Sequence, residues 1–381
     1  MKLKSVRTGA ALFLAVVAVS AAARAAEFKK ATHGPASLTF VEGVPVVHVY
    51  GTPEQMGEQQ GALLGPQLKL LVDQYLNKYL LSFGRDIGLR RTVLKLSRQM
   101  EKSIPRRYIE EMKALANSAR ASYEDVLLAN TVFDIRRAVF CSTFVAVGDR
   151  SADGQPIFGR NLDFPTLGVA HKYSCVIVYH PKKGHAVASV TFPGVVGVLS
   201  GLNDAGVAAG VMEARVAGLQ TTATPNALVF RTALTGAAST EDVLRVVKTR
   251  ARSTNNNLMI CDAKGNAACA ELSIRTVVAR RPENGVIYST NHFTSKELGR
   301  PWMCWRLPRL RKALSGAAKV DEALAKKILA DVAVKRTTMH SIVFRPAACS
   351  FLLAAGRPPA TDHKFVLLKK SVLFPAARKQ P

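Results

Sequence analysis

The spacing of apolar residues changes near Cys141, and this change constrains the fold more than any other feature of the sequence. Ahead of it, apolar residues recur at helical spacing, as they do through residues 63–81. Behind it, short runs rich in β-branched residues are separated by turn residues. Strands paired in hairpins, with helical stretches between them, predict stacked sheets that helices cover on the outside, preceded by a mainly helical segment.

Individual elements follow from the same patterns. Residues 38–52 predict two short strands, and Pro53 directly after them predicts the start of a helix. Further helices are predicted from Pro105 and, with Ser122 as the N-cap, from Tyr123. After Cys141 the predicted strands cover residues 173–179, 186–192, 206–211, 258–261, 268–274, 286–288 and 340–344, and the predicted helices cover residues 229–238, 240–250 and 320–332.

The segment from residue 140 to residue 165 predicts a strand, a turn and a second strand. Residues 151–154, Ser-Ala-Asp-Gly, supply the turn. The hairpin holds Cys141, on the first strand, across from Arg160 and Asp163 near the end of the second. A thiol, a cation and a carboxylate are groups that an acyl-transfer site uses. The alternative is that Cys141 is a small buried hydrophobe, as free cysteines usually are.

The N-terminus has the pattern of a secretory signal peptide. A basic stretch at residues 2–7 precedes a short apolar stretch at residues 10–23, and a small-x-small cleavage motif ends at Ala25. We therefore expect a signal peptide over residues 1–25, a mature chain from Ala26, and a secreted or periplasmic protein. An uncleaved membrane anchor is the alternative, although the apolar stretch is shorter than the roughly 20 residues that a spanning helix needs.

The chain is strongly basic. It has 53 lysines and arginines against 27 aspartates and glutamates, a formal net charge of +26. Such a charge favours anionic partners, which include phospholipid surfaces, nucleic acid and acidic substrates. The basic residues are spread along the chain, and the sequence carries no nucleic-acid-binding motif. We therefore expect an anionic membrane surface as a partner, and no nucleic acid.

Six cysteines in irregular positions do not form a dense disulfide framework. Cys261 and Cys269 flank a turn and could pair across a hairpin, but a register shift of one residue would prevent it. Cys175 lies in an apolar strand, and Cys304 and Cys349 are interpreted in the same way, as core residues.

Motifs for several other chemistries are absent from the sequence. It has no G-x-S-x-G elbow, no H-E-x-x-H, no paired C-x-x-C, no P-loop and no dinucleotide fingerprint. We therefore expect neither a metal ion nor a cofactor. A Cys–His pair that joins Cys141 to His292 or His340 is the remaining alternative for a thiol nucleophile.

Seven motifs follow one another along the chain. They are GTPEQMGEQQG at residues 51–61, PRRYIEEMKALANSARASYEDVLLAN at 105–130, CSTF from 141, DGQPIFGRNLDF from 153, SGLNDAGVAAGV at 200–211, STNHF at 289–293 and MHSIVFRP at 339–346. Through these motifs the chain resembles the acyl-coenzyme A:6-aminopenicillanic acid acyltransferase family, a peptidase-C45-type group of N-terminal-nucleophile hydrolases. It is similar, more distantly, to acid ceramidase and the bile salt hydrolases. The resemblance implies an α+β fold, a four-layer αββα sandwich with a largely helical N-terminal segment.

The resemblance also implies self-cleavage between Phe140 and Cys141. Residues 26–140 would become a small chain and residues 141–381 a large chain that contains the hydrolase core. The new α-amino group of Cys141, with a pKa of about 7.7 to 8.0, would accept the thiol proton. One residue would then supply both the nucleophile and the base.

The other site residues are carried over by motif. Arg160 and Asp163 match the arginine and aspartate of the related enzymes; the aspartate would orient the amine, and the guanidinium could hold the carboxylate or a substrate acyl oxygen. A structural ion pair is the alternative. Asn291 matches the asparagine expected to donate to the oxyanion, or else it caps a strand end. Arg306 matches the second arginine, and its neighbours Arg309 and Arg311 are rival candidates.

The sequence thus predicts an exported, self-processing cysteine hydrolase or acyltransferase. Its substrates would carry linear amide C–N bonds: N-acyl amino acids, acyl-homoserine lactones, penicillin-like amides or ceramide-like lipids. Two other classes stay open. One is a phospholipase-B-like lipid esterase on the same fold, and the other is a non-catalytic cationic protein that binds the cell envelope.

Overall fold

The computed structural model describes residues 27–77, 88–136, 140–300, 304–316 and 319–376. The predicted signal peptide and the predicted start at Ala26 lie outside the described residues. The strands are β1 (Ala31–His33), β2 (Ala36–Val41), β3 (Val44–Gly51), β4 (Phe140–Ala146), β5 (Ile157–Asp163), β6 (Cys175–Pro181), β7 (Val187–Thr191), β8 (Ser200–Asn203), β9 (Ala208–Glu213), β10 (Asn256–Cys261), β11 (Ala267–Leu272), β12 (Val277–Arg280), β13 (Val286–Ser289), β14 (Thr338–Arg345), β15 (Ser350–Ala355) and β16 (Val366–Leu368). The helices are α1 (Pro53–Leu70, continued as a π-helical turn over Leu71–Leu76), α2 (Gly88–Glu101), α3 (Arg106–Ala119), α4 (Tyr123–Arg136), α5 (Asn226–Gly236), α6 (Thr240–Thr249), α7 (Arg306–Ser315), α8 (Glu322–Asp331) and α9 (Lys370–Leu373).

The described strands form two sheets. One has ten strands in the order β1-β2-β3-β6-β7-β8-β9-β10-β11-β12, and the other has six in the order β13-β4-β5-β14-β15-β16. All neighbouring pairs are antiparallel except β3 and β6, which run parallel. The predicted hairpin is present as β4 and β5, with Cys141 directly opposite Leu162.

The two sheets pack face to face and helices cover both outer faces. The main core lies between the sheets and contains Cys141 and Leu162 from one sheet and Leu202 and Met259 from the other. A second core joins α5 and α6 to the outer face of the ten-stranded sheet, and a third joins α7 and α8 to the outer face of the six-stranded sheet. The predicted four-layer αββα arrangement is therefore confirmed.

The segment before Cys141 packs tightly against the rest of the protein. Helix α1 lies so close to α3 that a Cβ atom on Gly57 would stand 2.1 Å from the Glu111 carbonyl oxygen, so only glycine fits. Glu111, in turn, forms a buried ion pair with Arg231 of α5, at 2.7 Å. Together with the β3–β6 pairing, this pair joins the small and large chains that the self-cleavage hypothesis defines.

The predicted elements occur with small shifts in their boundaries, and several others were missed. The helix predicted from Tyr123 continues to Arg136, beyond the end of its motif at Asn130. The strands β1, β8, β12, β15 and β16 and the helices α2, α7 and α9 were not predicted. No described helix combines the length and apolar character that crossing a membrane requires.

The possible disulfide between Cys261 and Cys269 is wrong for this structure. In the β10–β11 hairpin Cys261 lies opposite Ala267, and Cys269 lies opposite Met259. The two cysteines are therefore offset by two residues, and all six cysteines are free thiols.

Candidate active site

Cys141 is the second residue of β4 and is fully buried between the sheets. Side chains alternate between the faces of a strand, and residues directly opposite in a pair share a face. The register, with Cys141 opposite Leu162 and Thr143 opposite Arg160, places the thiol and the Arg160 guanidinium on the same inner face. The predicted hairpin therefore brings the thiol and the guanidinium to the same face, as expected.

Both backbone polar groups of Cys141 are held by side chains from other elements. Its N–H donates to Oδ1 of Asn291 at 2.8 Å, and its carbonyl oxygen accepts from the Arg306 guanidinium at 2.8 Å. The guanidinium also donates to Oδ1 of Asn291 at 2.8 Å. The amide nitrogen that self-cleavage would release is thus fixed in position before any bond breaks.

Asp163 completes this network. Its carboxylate is fully buried and accepts hydrogen bonds from Arg306, at 2.9 Å, and from the hydroxyl of Thr338. Burial raises the pKa of Asp163 to about 6, although Arg306, Thr338 and Arg160 act in the opposite direction. The carboxyl group therefore changes its charge near neutral pH.

The thiol of Cys141 is poorly ionised in the uncleaved chain. Burial raises its pKa to about 11, and the charge of Asp163 adds to the effect. Arg160, Arg306 and the backbone N–H of Asp163 lower the pKa, but they do not outweigh the loss of water. Activation of this thiol consequently needs either high pH or a base beside it.

Arg160 does not hold the Asp163 carboxylate, contrary to one of the two roles predicted for it. The two residues are three positions apart on β5, so their side chains leave opposite faces of the strand. The Arg160 guanidinium reaches the other sheet instead, where it donates to the hydroxyl of Ser200 and the carbonyl oxygen of Val211. Its second terminal nitrogen is buried without a hydrogen-bond partner, so the predicted contact with a substrate acyl oxygen stays a prediction.

Asn291 reaches the site, but its hydrogen bonds in the uncleaved chain differ from the predicted oxyanion contact. Its Nδ2 donates to the carbonyl oxygen of Glu213 at 2.7 Å, and its Oδ1 accepts from Cys141 and Arg306. The side chain therefore orients the backbone of Cys141 in this state. The role as an oxyanion donor stays a prediction for the cleaved enzyme.

Among the three candidate arginines of α7, the structure places Arg306 in the site. Arg306 is the first residue of the helix and is buried, so its side chain reaches Cys141, Asp163 and Asn291. Its rivals lie on the surface: Arg309 donates to the carbonyl oxygen of Asp331, and Arg311 donates to the hydroxyl of Tyr288.

Neither candidate histidine forms the alternative Cys–His pair in the described part of the chain. Nδ1 of His292 lies 3.1 Å from the Thr290 hydroxyl, and Nε2 of His340 lies 2.7 Å from the Ser174 hydroxyl. The ring of His340 also stacks on Phe192. Both residues pack near the site instead.

An apolar cavity of about 50 Å³ lies beside the site, under the end of α1. Phe164, the residue after Asp163, forms part of its wall together with Tyr75, Phe133 and Phe192. The walls carry almost no polar groups, but the volume is well below the roughly 150 Å³ of a cavity that holds one benzene ring, so the cavity is a small apolar void.

Two features of the site were missed by sequence reasoning. Thr338 directly precedes the MHSIVFRP motif and could have been found by extending that motif by one residue. The carbonyl oxygen of Glu213 carried no signal, because a backbone acceptor is not visible in residue types. Cys304 was also misinterpreted as a core residue: it is only half-buried and lies just before α7, where its thiol meets the Thr290 hydroxyl at 3.4 Å.

Comparisons with known proteins agree with the motifs. The family model of acyl-coenzyme A:6-aminopenicillanic acid acyl-transferase matches residues 150–301. This match contains Arg160, Asp163 and Asn291, whereas Cys141 and Arg306 lie outside it and are placed by the geometry.

Individual relatives cover different shares of the chain. The 40 kDa form of the acyl-coenzyme A:6-aminopenicillanic-acid-acyltransferase of Emericella nidulans is 23% identical over 346 residues, which cover 83% of this chain and 94% of that relative. A protein of Archaeoglobus fulgidus is 31% identical over 195 residues, 44% of this chain, and the chain spans only 32% of its length. Among solved structures, a Caenorhabditis elegans N-acylethanolamine-hydrolyzing acid amidase ortholog matches with a TM-score of 0.45 and 19% identity, over 54% of this chain and 93% of that one.

The resemblance predicted from the motifs is thereby confirmed: the chain is similar to the acyl-coenzyme A:6-aminopenicillanic acid acyltransferase family.

Proposed function

We propose that the protein is an exported cysteine hydrolase or acyltransferase that activates itself by cutting the bond between Phe140 and Cys141. One observation carries the proposal. Both backbone polar groups of Cys141 are held by Asn291 and Arg306, and Arg306 also binds the buried carboxylate of Asp163. A structural core cysteine has no need of such a network, whereas a nucleophile beside a scissile bond needs a fixed geometry.

The proposed self-cleavage is an N-to-S acyl shift followed by hydrolysis. The Sγ atom of Cys141 loses its proton to solvent and attacks the carbonyl carbon of Phe140. The C–N bond then breaks as the nitrogen takes up a proton, which leaves a thioester between Phe140 and the cysteine. Water hydrolyses the thioester, and the products are a carboxylate at Phe140 and a free thiol and α-amino group at Cys141.

In the cleaved enzyme the same atoms would act on a substrate. The α-amino group takes the thiol proton, Sγ attacks an amide carbonyl, and the leaving amine takes the proton as the acyl-enzyme forms. Water then releases the acid, or an amine accepts the acyl group. The candidate substrates are N-acyl amino acids, acyl-homoserine lactones, penicillin-like amides and ceramide-like lipids. The apolar walls beside Asp163 favour an apolar acyl group, for which the cavity of about 50 Å³ would have to widen.

Intact mass and N-terminal sequencing of the purified protein test the self-cleavage. We expect two chains, one that begins at Ala26 and one that begins at Cys141, and a single uncut chain in the Cys141→Ala variant. Cys175→Ala is the matched control, because Cys175 is equally buried but lies under α1, away from the site. A single chain in the wild-type protein, or normal cleavage in Cys141→Ala, would refute the proposal.

A substrate panel then separates the reaction types. Matched amides and esters of the same acyl group are offered to the cleaved enzyme and to Cys141→Ala. Preference for the amide supports the proposed activity, preference for the ester supports the lipid esterase, and no turnover of either supports a non-catalytic binding protein.

A further inference from the structure

The exposed large hydrophobic side chains in the described residues all lie in segments next to the candidate active site. In the described ranges, four large hydrophobic residues are exposed, with exposures between 36% and 50%: Leu167, Val216, Leu219 and Trp305. Singly scattered exposed hydrophobics are normal on a protein surface and need no explanation. These four are different, because each lies within a few residues of an atom that contacts the candidate active site.

Three segments bring these side chains to the rim of the site. Leu167 lies at the tip of the loop that follows Asp163, and Trp305 directly precedes Arg306. Val216 and Leu219 belong to the loop after β9, which is joined to the site because the N–H of Arg215 donates to the carbonyl oxygen of Asn291 at 2.8 Å. The three segments that carry the four side chains therefore leave the sheets at the same end as the candidate active site.

The backbone at Leu167 supports a role for its exposure. Leu167 has a φ of 46°, in the left-handed region that a branched side chain rarely adopts, and Gly168 after it has a φ of 74°. Such strain persists where the surrounding structure enforces it, and it is common at functional sites. The loop thus holds a leucine out toward the solvent.

Cations lie on the same face. Lys335 and Arg336 are exposed in the loop before β14, and this loop touches the Leu167 loop because the carbonyl oxygen of Thr337 accepts from the N–H of Phe164 at 2.8 Å. Arg309 is also exposed, and its guanidinium lies over the ring of Trp305. The net charge of +26 falls to +22 without the four cations of the predicted signal peptide, and this charge still suits the face to a surface that is negative and has an apolar interior.

We propose that this face docks on an anionic phospholipid bilayer, with Leu167, Val216, Leu219 and Trp305 inserted among the lipids, and that the acyl-amide substrate enters the site from that bilayer. The last part rests on the proposed function. Charge complementarity favours a bilayer over a second copy of this chain, because two strongly basic faces repel each other. Phe164, which lies between Asp163 and the Leu167 loop, lines the small apolar cavity at this end of the sheets.

Binding to vesicles tests the docking separately from catalysis. The Cys141→Ala protein is sedimented with phosphatidylglycerol vesicles or with phosphatidylcholine vesicles at physiological salt. We expect binding to the first and little to the second. Because this variant is inactive under the proposed function, its binding does not depend on whether the enzyme cleaves amides.

Three double variants test where the protein docks on the bilayer. Lys335→Gln with Arg336→Gln should weaken binding by about 30-fold, since each cation near an anionic bilayer contributes about a fivefold effect. Lys182→Gln with Lys183→Gln should leave it within about twofold, because these exposed lysines follow β6 at the opposite end of the ten-stranded sheet from Glu213. Val216→Ser with Leu219→Ser should weaken binding about tenfold or more, from the lost burial of two aliphatic side chains.

Three results would overturn the proposal. They are no binding to phosphatidylglycerol vesicles, equal losses for the two lysine-containing pairs, and unchanged binding in Val216→Ser with Leu219→Ser. If sedimentation equilibrium showed a dimer that this last variant abolishes, the face would be an interface between two copies of the chain instead.

Discussion

The rate of self-cleavage should rise steeply with pH, because the nucleophile in the uncleaved chain is a thiol with a pKa of about 11. Only the thiolate attacks, and well below the pKa its fraction rises tenfold per pH unit. The fraction is roughly one in ten thousand at pH 7 and roughly one in a hundred at pH 9. We therefore expect cleavage to be about 100-fold faster at pH 9 than at pH 7.

The measurement starts from uncleaved protein that is purified at pH 5.5 and shifted to a series of pH values. Samples are quenched in acid, and the two chains are quantified by mass spectrometry, with Cys141→Ala as the control for cleavage by contaminating proteases. Substrate turnover by the cleaved enzyme should behave differently, because its base is an α-amino group with a pKa of about 8, so the rate should level off there. A cleavage rate that is independent of pH, or one that levels off near pH 6 with the ionisation of Asp163, would refute the reasoning.

Three further predictions concern individual side chains and their contacts. Glu111→Gln should lower the free energy of unfolding by about 3–5 kcal/mol in urea denaturation, since it leaves the Arg231 charge buried and unpaired, whereas Arg106→Gln, which breaks one exposed pair with Glu110, should cost less than about 1 kcal/mol. Arg306→Met should slow self-cleavage far more than Arg309→Met, as followed by the appearance of the two chains, and equal rates would contradict the assignment of Arg306. In the Cys141→Ala protein, iodoacetamide should label Cys304 before the other cysteines in peptide mapping, because Cys304 is the one cysteine that is not buried. Its thiol pKa is also lowered: partial burial acts to raise it, but the Thr290 hydroxyl and the N–H groups at the start of α7 outweigh that effect.

The sequence predicted the layers of the fold because they follow from local patterns. The turn at residues 151–154 and the β-branched residues on either side determine the β4–β5 hairpin, and the hairpin alone brings Cys141 to Arg160. Short strands such as β12 and β16 were missed, since three or four residues carry too little periodicity to stand out.

What the sequence could not predict depends on contacts between distant elements. Arg160 donates to Ser200 and Val211 of the opposite sheet, and this partnership exists only once the two sheets have stacked. The bridge between Cys261 and Cys269 failed on the register of a single hairpin, which residue types leave open. Arg306 was placed by motif, but only the position of α7 distinguishes it from Arg309.

Phe140, the residue before the nucleophile, would affect how soon the enzyme becomes active after the chain is cut. Phe140 pairs with Asp163 at the start of β4, and the guanidinium of Arg215 lies 3.9 Å from the centre of its ring. Cutting the chain would leave Phe140 as a new C-terminus, and the contact between its ring and that guanidinium would hold the first product in place. The small chain's new end would act as a tethered product inhibitor. Catalytic competence would then lag behind the appearance of two chains, and the length of that lag would report how fast Phe140 leaves the pocket that a substrate must enter.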